Sequence, residues 1–213
     1  MLERRWKDLS NKLPEKVQLL AVSKGQQESS IRRLVELGHR DFGESRLQEA
    51  LPKIKALAEI PDIRWHFIGR LQSNKVRAVI RSFSVIQSLD SEALALRVSK
   101  IAGEEKRCPE VMMQVKLRDD PKKGGFEITD LIEAWPRLLQ LPNVKTIGLM
   151  TMSPKVLNSQ QRKELFKECR ELADHLGLQE CSMGMSNDWK EAVDAGATWV
   201  RLGSTLFGDR AIN

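Results

Sequence analysis

The 213 residues contain no tyrosine, which removes the phenol from the acid and base groups open to this chain. Cysteine is scarce as well: Cys108, Cys169 and Cys181 are odd in number and widely spaced. Such spacing gives little support to a disulfide framework or a zinc site, and reduced thiols in a cytoplasm fit better. No apolar stretch reaches the roughly 18 residues of a membrane span, and the opening "MLERRWKDLSNK" has charge without an apolar segment. Neither export nor membrane insertion is expected. Basic residues are scattered rather than gathered in a tail, which disfavours nucleic acid as a partner. No linker rich in Pro, Gly and Ser interrupts the chain, so residues 1–213 are expected to form a single domain.

What is present is the profile of a globular protein. Hydrophobic residues make up 41% and charged residues 30%, with both signs mixed along the chain. The balance of 35 Lys and Arg against 29 Asp and Glu gives a formal charge of +6, a modest excess that suits anionic small molecules. Short apolar runs alternate with helical patterns, the mark of strand and helix units over a parallel sheet. Strands are predicted over 17–23, 40–44, 64–69, 83–88, 110–116, 145–151, 180–184 and 198–203. Helical spacing lies between them, most clearly in Leu165, Cys169, Leu172, Ala173 and Leu176, closed by Gly177. Pro52 and Pro136 fall inside helical patterns and are expected to kink or end them. Ser73, Ser91 and Asp188 stand where N-caps belong.

Eight such units predict an α/β fold, a single (β/α)8 TIM barrel with an extra N-terminal helix over 2–12. An open doubly wound sheet is the alternative, and the first strand-to-helix turn, "SKGQQESS", lacks the G-x-G-x-x-G that such a sheet uses for phosphate.

A barrel places its chemistry at the C-terminal ends of its strands. Lys24 ends the first, in "LLAVSKG", where it is either a solvated strand end or an amine available to a carbonyl. After the seventh strand comes "SMGMSND" and after the eighth "GSTLFGD". Gly184 and Gly203 let a ligand approach the backbone there, while Ser182, Ser186, Ser204 and Thr205 supply donors for an anion. Arg201 lies inside the apolar run "TWVRLG" and needs a partner, either a carboxylate such as Asp209 or an atom of a ligand. His66, in "WHFIGRLQSNK", reads as a satisfied core histidine or a site residue, and no second ligand at metal spacing accompanies it.

Taken together, "AVSK", "FGES", "WHFIGRLQSNK", "IQSLDS", "GLMTMSP", "SMGMSND" and "VRLGSTLFGDR" resemble the pyridoxal phosphate homeostasis protein family, single-domain relatives of the barrel half of alanine racemase. The resemblance implies a barrel of the alanine racemase N-terminal type carrying pyridoxal 5'-phosphate covalently on Lys24 as a Schiff base. It further implies that Ser186, the "GST" backbone and Thr205 hold the phosphate and that Arg201 faces the pyridine nitrogen, with Ser182, Gly184, Gly203, Ser204 and His66 around the cofactor. The implied role is a cytoplasmic, monomeric, non-enzymatic carrier in vitamin B6 and amino-acid homeostasis, serving pyridoxal phosphate-dependent apo-enzymes. A weakly active amino-acid racemase is the alternative, and the absence of tyrosine counts against it, because the two-domain racemases use that residue as their second base. Ser45 and Lys116 stand where the family usually has asparagine, which puts side contacts from the second and fifth strands in doubt.

Overall fold

The computed structural model describes residues 1–121 and 123–208. Strands β1 (Gln18–Val22), β2 (Asp41–Glu44), β3 (Arg64–Phe67) and β4 (Val85–Leu89) are followed by β5 (Glu110–Val115), β6 (Lys145–Thr151), β7 (Glu180–Met185) and β8 (Trp199–Leu202). Each is parallel to the next, and β8 pairs with β1 through Leu20 opposite Arg201, which closes the barrel. The helices between them are α2 (Glu28–Glu36), α3 (Leu47–Ala56), α4 (Val76–Ser82), α5 (Glu92–Glu104), α6 (Ile128–Leu138), α7 (Ser159–His175) and α8 (Trp189–Asp194). Helix α1 (Leu2–Lys12) precedes the barrel and the short α9 (Ser204–Phe207) follows β8. Among the described residues no helix is long and apolar enough to cross a membrane.

The alternation of strand side chains divides the interior into two layers. Outward-facing strand residues such as Phe42 and the helix residues Ile31, Leu34, Leu131 and Phe166, all fully buried, belong to one apolar layer between strands and helices. Each such side chain contributes about 1.5–3 kcal/mol on leaving water. Inside the barrel a smaller apolar layer joins Leu20, Met112, Met150 and Trp199. Polar groups lie on both sides of it, and those toward the C-terminal ends of the strands make the site.

Both prolines sit inside their helices rather than ending them. Pro52 and Pro136 are on the solvent face, where water can meet the carbonyl that each leaves without a helical donor. Ser91 caps α5, accepting from the Leu94 amide at 3.4 Å. Ser73 instead opens a 3-10 turn before α4, and Asp188 makes no side-chain cap to α8. Its carboxylate turns back to accept the Met185 amide at 2.6 Å, so it braces the loop after β7.

Candidate functional site

A cavity of about 1040 Å³ opens at the C-terminal ends of the strands. Lys24, Ser45, Asp90, Ser153, Ser186 and Gly203 each stand just beyond a different strand and line it. Among the described residues six cations reach its wall, Lys24, Arg70, Lys123, Lys155, Arg162 and Arg201, against the carboxylates of Asp90 and Asp188. Such an excess favours an anionic ligand.

Arg201 forms part of the cavity floor and is 4% exposed. Its Nη1 donates to the Ser182 carbonyl at 2.6 Å and to Ser182 Oγ at 2.9 Å, and Nη2 donates to the Thr151 carbonyl at 2.8 Å. Among the described residues no carboxylate forms an ion pair with it, and Asp209 lies outside them. Burial pushes the guanidinium down to about 10, with Asp188 acting in the opposite direction. A buried cation answered only by neutral oxygens retains capacity for an acceptor supplied by a ligand.

Below Arg201 a hydrogen-bonded chain runs down the barrel axis. Ser182 Oγ donates to Gln87 Oε1 at 2.7 Å, Gln87 Nε2 lies 3.0 Å from His66 Nδ1, and His66 Nε2 lies 3.0 Å from Asp41 Oδ1. An amide nitrogen only donates, so Nδ1 accepts, and the imidazole proton sits on Nε2 and is given to Asp41. Arg64 then joins Asp41 at 3.4 Å to Glu110 at 2.7 Å on the opposite rim of the barrel. Burial lowers the pKa of His66, against the pull of Asp41.

The turn after β1 has its own support. Ser23 is buried and its hydroxyl donates to Glu44 Oε1 at 2.7 Å. Lys53, from α3, donates to Glu44 Oε1 and to the Ser23 carbonyl, both at 2.9 Å, and to Glu49 Oε1 at 3.1 Å. The Gly25 amide donates to the same Glu49 oxygen. Burial pushes the Glu44 carboxyl up, opposed by Ser23 and Lys53. At Glu49 burial is outweighed by the Gly25 amide and Lys53, which bring its carboxyl down.

At the far side of the cavity the last two loops are tied together. The Thr205 amide donates to Ser186 Oγ at 3.3 Å, and Thr205 Oγ1 donates to the Ser186 carbonyl at 3.4 Å. Gly203 caps the short α9, so backbone donors of that turn stand beside the Ser186 hydroxyl. A barrel with a phosphate site builds it from these loops.

The family model described as "Alanine racemase, N-terminal domain" matches residues 1–211. A pyridoxal phosphate homeostasis protein of Synechocystis is 47% identical over 204 residues, 93% of this chain and 94% of the relative. This chain belongs to the pyridoxal phosphate homeostasis protein family. The family member of Aquifex aeolicus is 40% identical, over 90% of this chain and 86% of its own length. Among solved structures, PipY of Synechococcus elongatus without pyridoxal phosphate superposes with a TM-score of 0.96 at 44% identity, covering 98% of this chain and 100% of PipY. PipY with pyridoxal phosphate bound gives 0.94 at 43% identity, covering 98% of this chain and 100% of that one. Alanine racemase of Clostridium difficile, at 16% identity and a TM-score of 0.77 over 98% of this chain and 56% of its own, shares the fold.

Of the residues that the family resemblance gathers around a cofactor, Lys24, Ser186, Arg201, Gly203 and Ser204 line the cavity. Ser182 and His66 are fully buried beneath it, in the axial chain, and Thr205 reaches it through Ser186. Gly184 has a positive φ of 88°, and a Cβ there would stand 2.6 Å from Ala192 Cβ, so this glycine lets α8 close on β7. Ser45 is on the cavity wall, whereas Lys116 turns aside to Glu127 at 2.6 Å. Sequence reading missed Gln87, Glu44, Glu49 and Lys53. Their only signal was polarity inside apolar or helical segments, in "VIQSL" and "FGES" and in the Lys that follows Pro52.

Proposed function

We propose that this protein binds pyridoxal 5'-phosphate and acts as a non-enzymatic carrier in vitamin B6 and amino-acid homeostasis. The observation that carries the reading is one cavity shared by the Lys24 amine, the Arg201 guanidinium and the tied loops after β7 and β8. Those three elements match an aldehyde, a ring nitrogen and a phosphate. Relatives with the homeostasis name, and PipY with pyridoxal phosphate bound, support it.

In this reading Lys24 is the covalent anchor, through a reversible Schiff base, and Ser186, Ser204 and the Gly203–Thr205 backbone take the phosphate. Bound pyridoxal phosphate supplies an aldehyde that condenses with amines and a ring that can accept electrons when its nitrogen is protonated. Arg201 can only donate N–H groups to that nitrogen and offers no acceptor for a ring proton, so it favours the unprotonated ring and thereby discourages carbanion chemistry. Ser182 and Thr151 hold the guanidinium in place for this. A racemase also needs a second acid or base across the ring from the lysine, and with no tyrosine in the sequence the group used by the two-domain racemases is missing. The carrier is assigned to the cytoplasm, as a monomer, with pyridoxal phosphate-dependent apo-enzymes as recipients.

The test is to load the protein with pyridoxal phosphate, remove the excess, add an apo-enzyme and follow its reactivation alongside loss of the carrier's visible absorbance. Transfer with no turnover of D- or L-amino acids by the carrier alone is expected. Turnover at ordinary enzymatic rates would overturn the assignment.

A further inference from the structure

The backbone on both sides of Lys24 is held by one ion cluster. The carbonyl of Ser23, the residue before it, accepts from Lys53 Nζ at 2.9 Å, and the amide of Gly25, the residue after it, donates to Glu49 Oε1. Lys53 joins these two restraints, since the same ammonium bonds Glu49 Oε1 at 3.1 Å and Glu44 Oε1 at 2.9 Å. Its three N–H groups therefore have three acceptors. Gly25 has φ of 73°, the left-handed conformation that glycine takes most readily.

Fold stability is a poor explanation for this cluster. Lys53 is 9% exposed and Glu44 is fully buried, and a buried ion pair is often no more stabilising than apolar side chains of the same volume. Glu44 Oε2 is buried with no hydrogen-bond partner among the described residues, a further cost. What an apolar replacement could not do is grip a carbonyl and an amide two residues apart. With those fixed, the backbone of Lys24 has less freedom left to lose when its amine forms a bond.

We propose that Glu44, Lys53 and Glu49 are positioning residues that hold the Lys24 turn so that its amine stands over the cavity before the cofactor arrives. This rests on Lys24 being the anchoring amine. In the capture step the neutral Lys24 amine adds to the aldehyde carbon, a C=N bond forms as the bonds from that carbon to oxygen break, and the oxygen leaves as water with the two hydrogens of the amine. The clamp touches none of these atoms; it acts on how often the nitrogen is in reach.

The experiment titrates cofactor-free protein with pyridoxal phosphate, reading visible absorbance for capture at Lys24, and follows amide hydrogen exchange of residues 24–26 without cofactor. Lys53→Met keeps the volume and removes the clamp. Glu49→Ala removes the Gly25 contact at a partly exposed position, and Glu49→Gln keeps an acceptor there. Expected are capture constants lower on the order of tenfold for Lys53→Met and Glu49→Ala, the size of one lost hydrogen bond to a charged group. Exchange over the turn should be faster in both, while Glu49→Gln stays close to the parent protein. If Lys53→Met does not fold, the Glu49 pair gives the same comparison. Equal capture constants and equal exchange across these variants would overturn the proposal. A parent protein that gains no absorbance dependent on Lys24 would instead overturn the functional reading beneath it.

Discussion

Arg201 shows how much one residue depends on others distant in sequence. Its charge stood out inside an apolar strand, but what holds it, Ser182 from β7 and the Thr151 carbonyl from β6, comes from closure of the barrel and leaves no local pattern. The same is true of Gln87, which links Ser182 to His66. Gln87→Leu is close in volume and strands both partners, so it should destabilise the protein by about 1–3 kcal/mol in chemical denaturation. It should also shift the visible absorbance of the loaded protein, because Arg201 is no longer braced through Ser182. Unchanged stability and absorbance would mean that the axial chain carries no load at Gln87. The place of Lys24 on the cavity wall was legible for a simpler reason: it follows a run of buried apolar residues at the face where barrels keep their chemistry.

Strands and helices were legible because parallel strands covered on both faces read as apolar runs, and covering helices repeat their apolar stripe at 3.6 residues. All eight strands lie within two residues of their predicted limits. Even the short polar β2 does so: Gly43 faces the barrel interior, where a Cβ would stand 3.1 Å from Leu20 Cδ2. Two local features were harder. Helix α7 starts from a capping box of Asn158 and Gln161, an Asn variant of the usual Ser/Thr signal. Asp188 looked like a cap yet serves the loop before it. That loop gives a prediction at this scale. In Gly184→Ala the new methyl would meet Ala192 Cβ at 2.6 Å and Trp189 Cα at 2.9 Å from a backbone with φ of 88°. Strain of that kind costs roughly 1–3 kcal/mol, so the melting temperature should fall and retention of pyridoxal phosphate should weaken as the loop after β7 is pushed aside. A Gly184→Ala variant that melts and binds like the parent would show that β7 and α8 separate freely.

Across the whole molecule, stability depends on pH through buried groups. Burial holds His39 and His66 below the ordinary histidine value, opposed in both by Asp41. The unfolded chain therefore binds more protons below about pH 6.5. Their contribution is complete above that pH and is lost as pH falls through the folded values. Glu44 works the other way, because burial raises its carboxyl and its stabilising effect grows as pH falls toward the ordinary glutamate value. Two histidines against one carboxylate predict a melting temperature that declines from about pH 7.5 to about 5.5 in thermal denaturation. A flat profile would mean that the histidines accept protons as easily folded as unfolded. Capture of the aldehyde depends on one nitrogen, and one measurement addresses it. The protein loaded with pyridoxal phosphate is reduced with borohydride, digested and mapped by mass spectrometry. The predicted result is a single pyridoxyl adduct on Lys24. An adduct on another lysine with Lys24 unmodified, or no adduct at all, would contradict it.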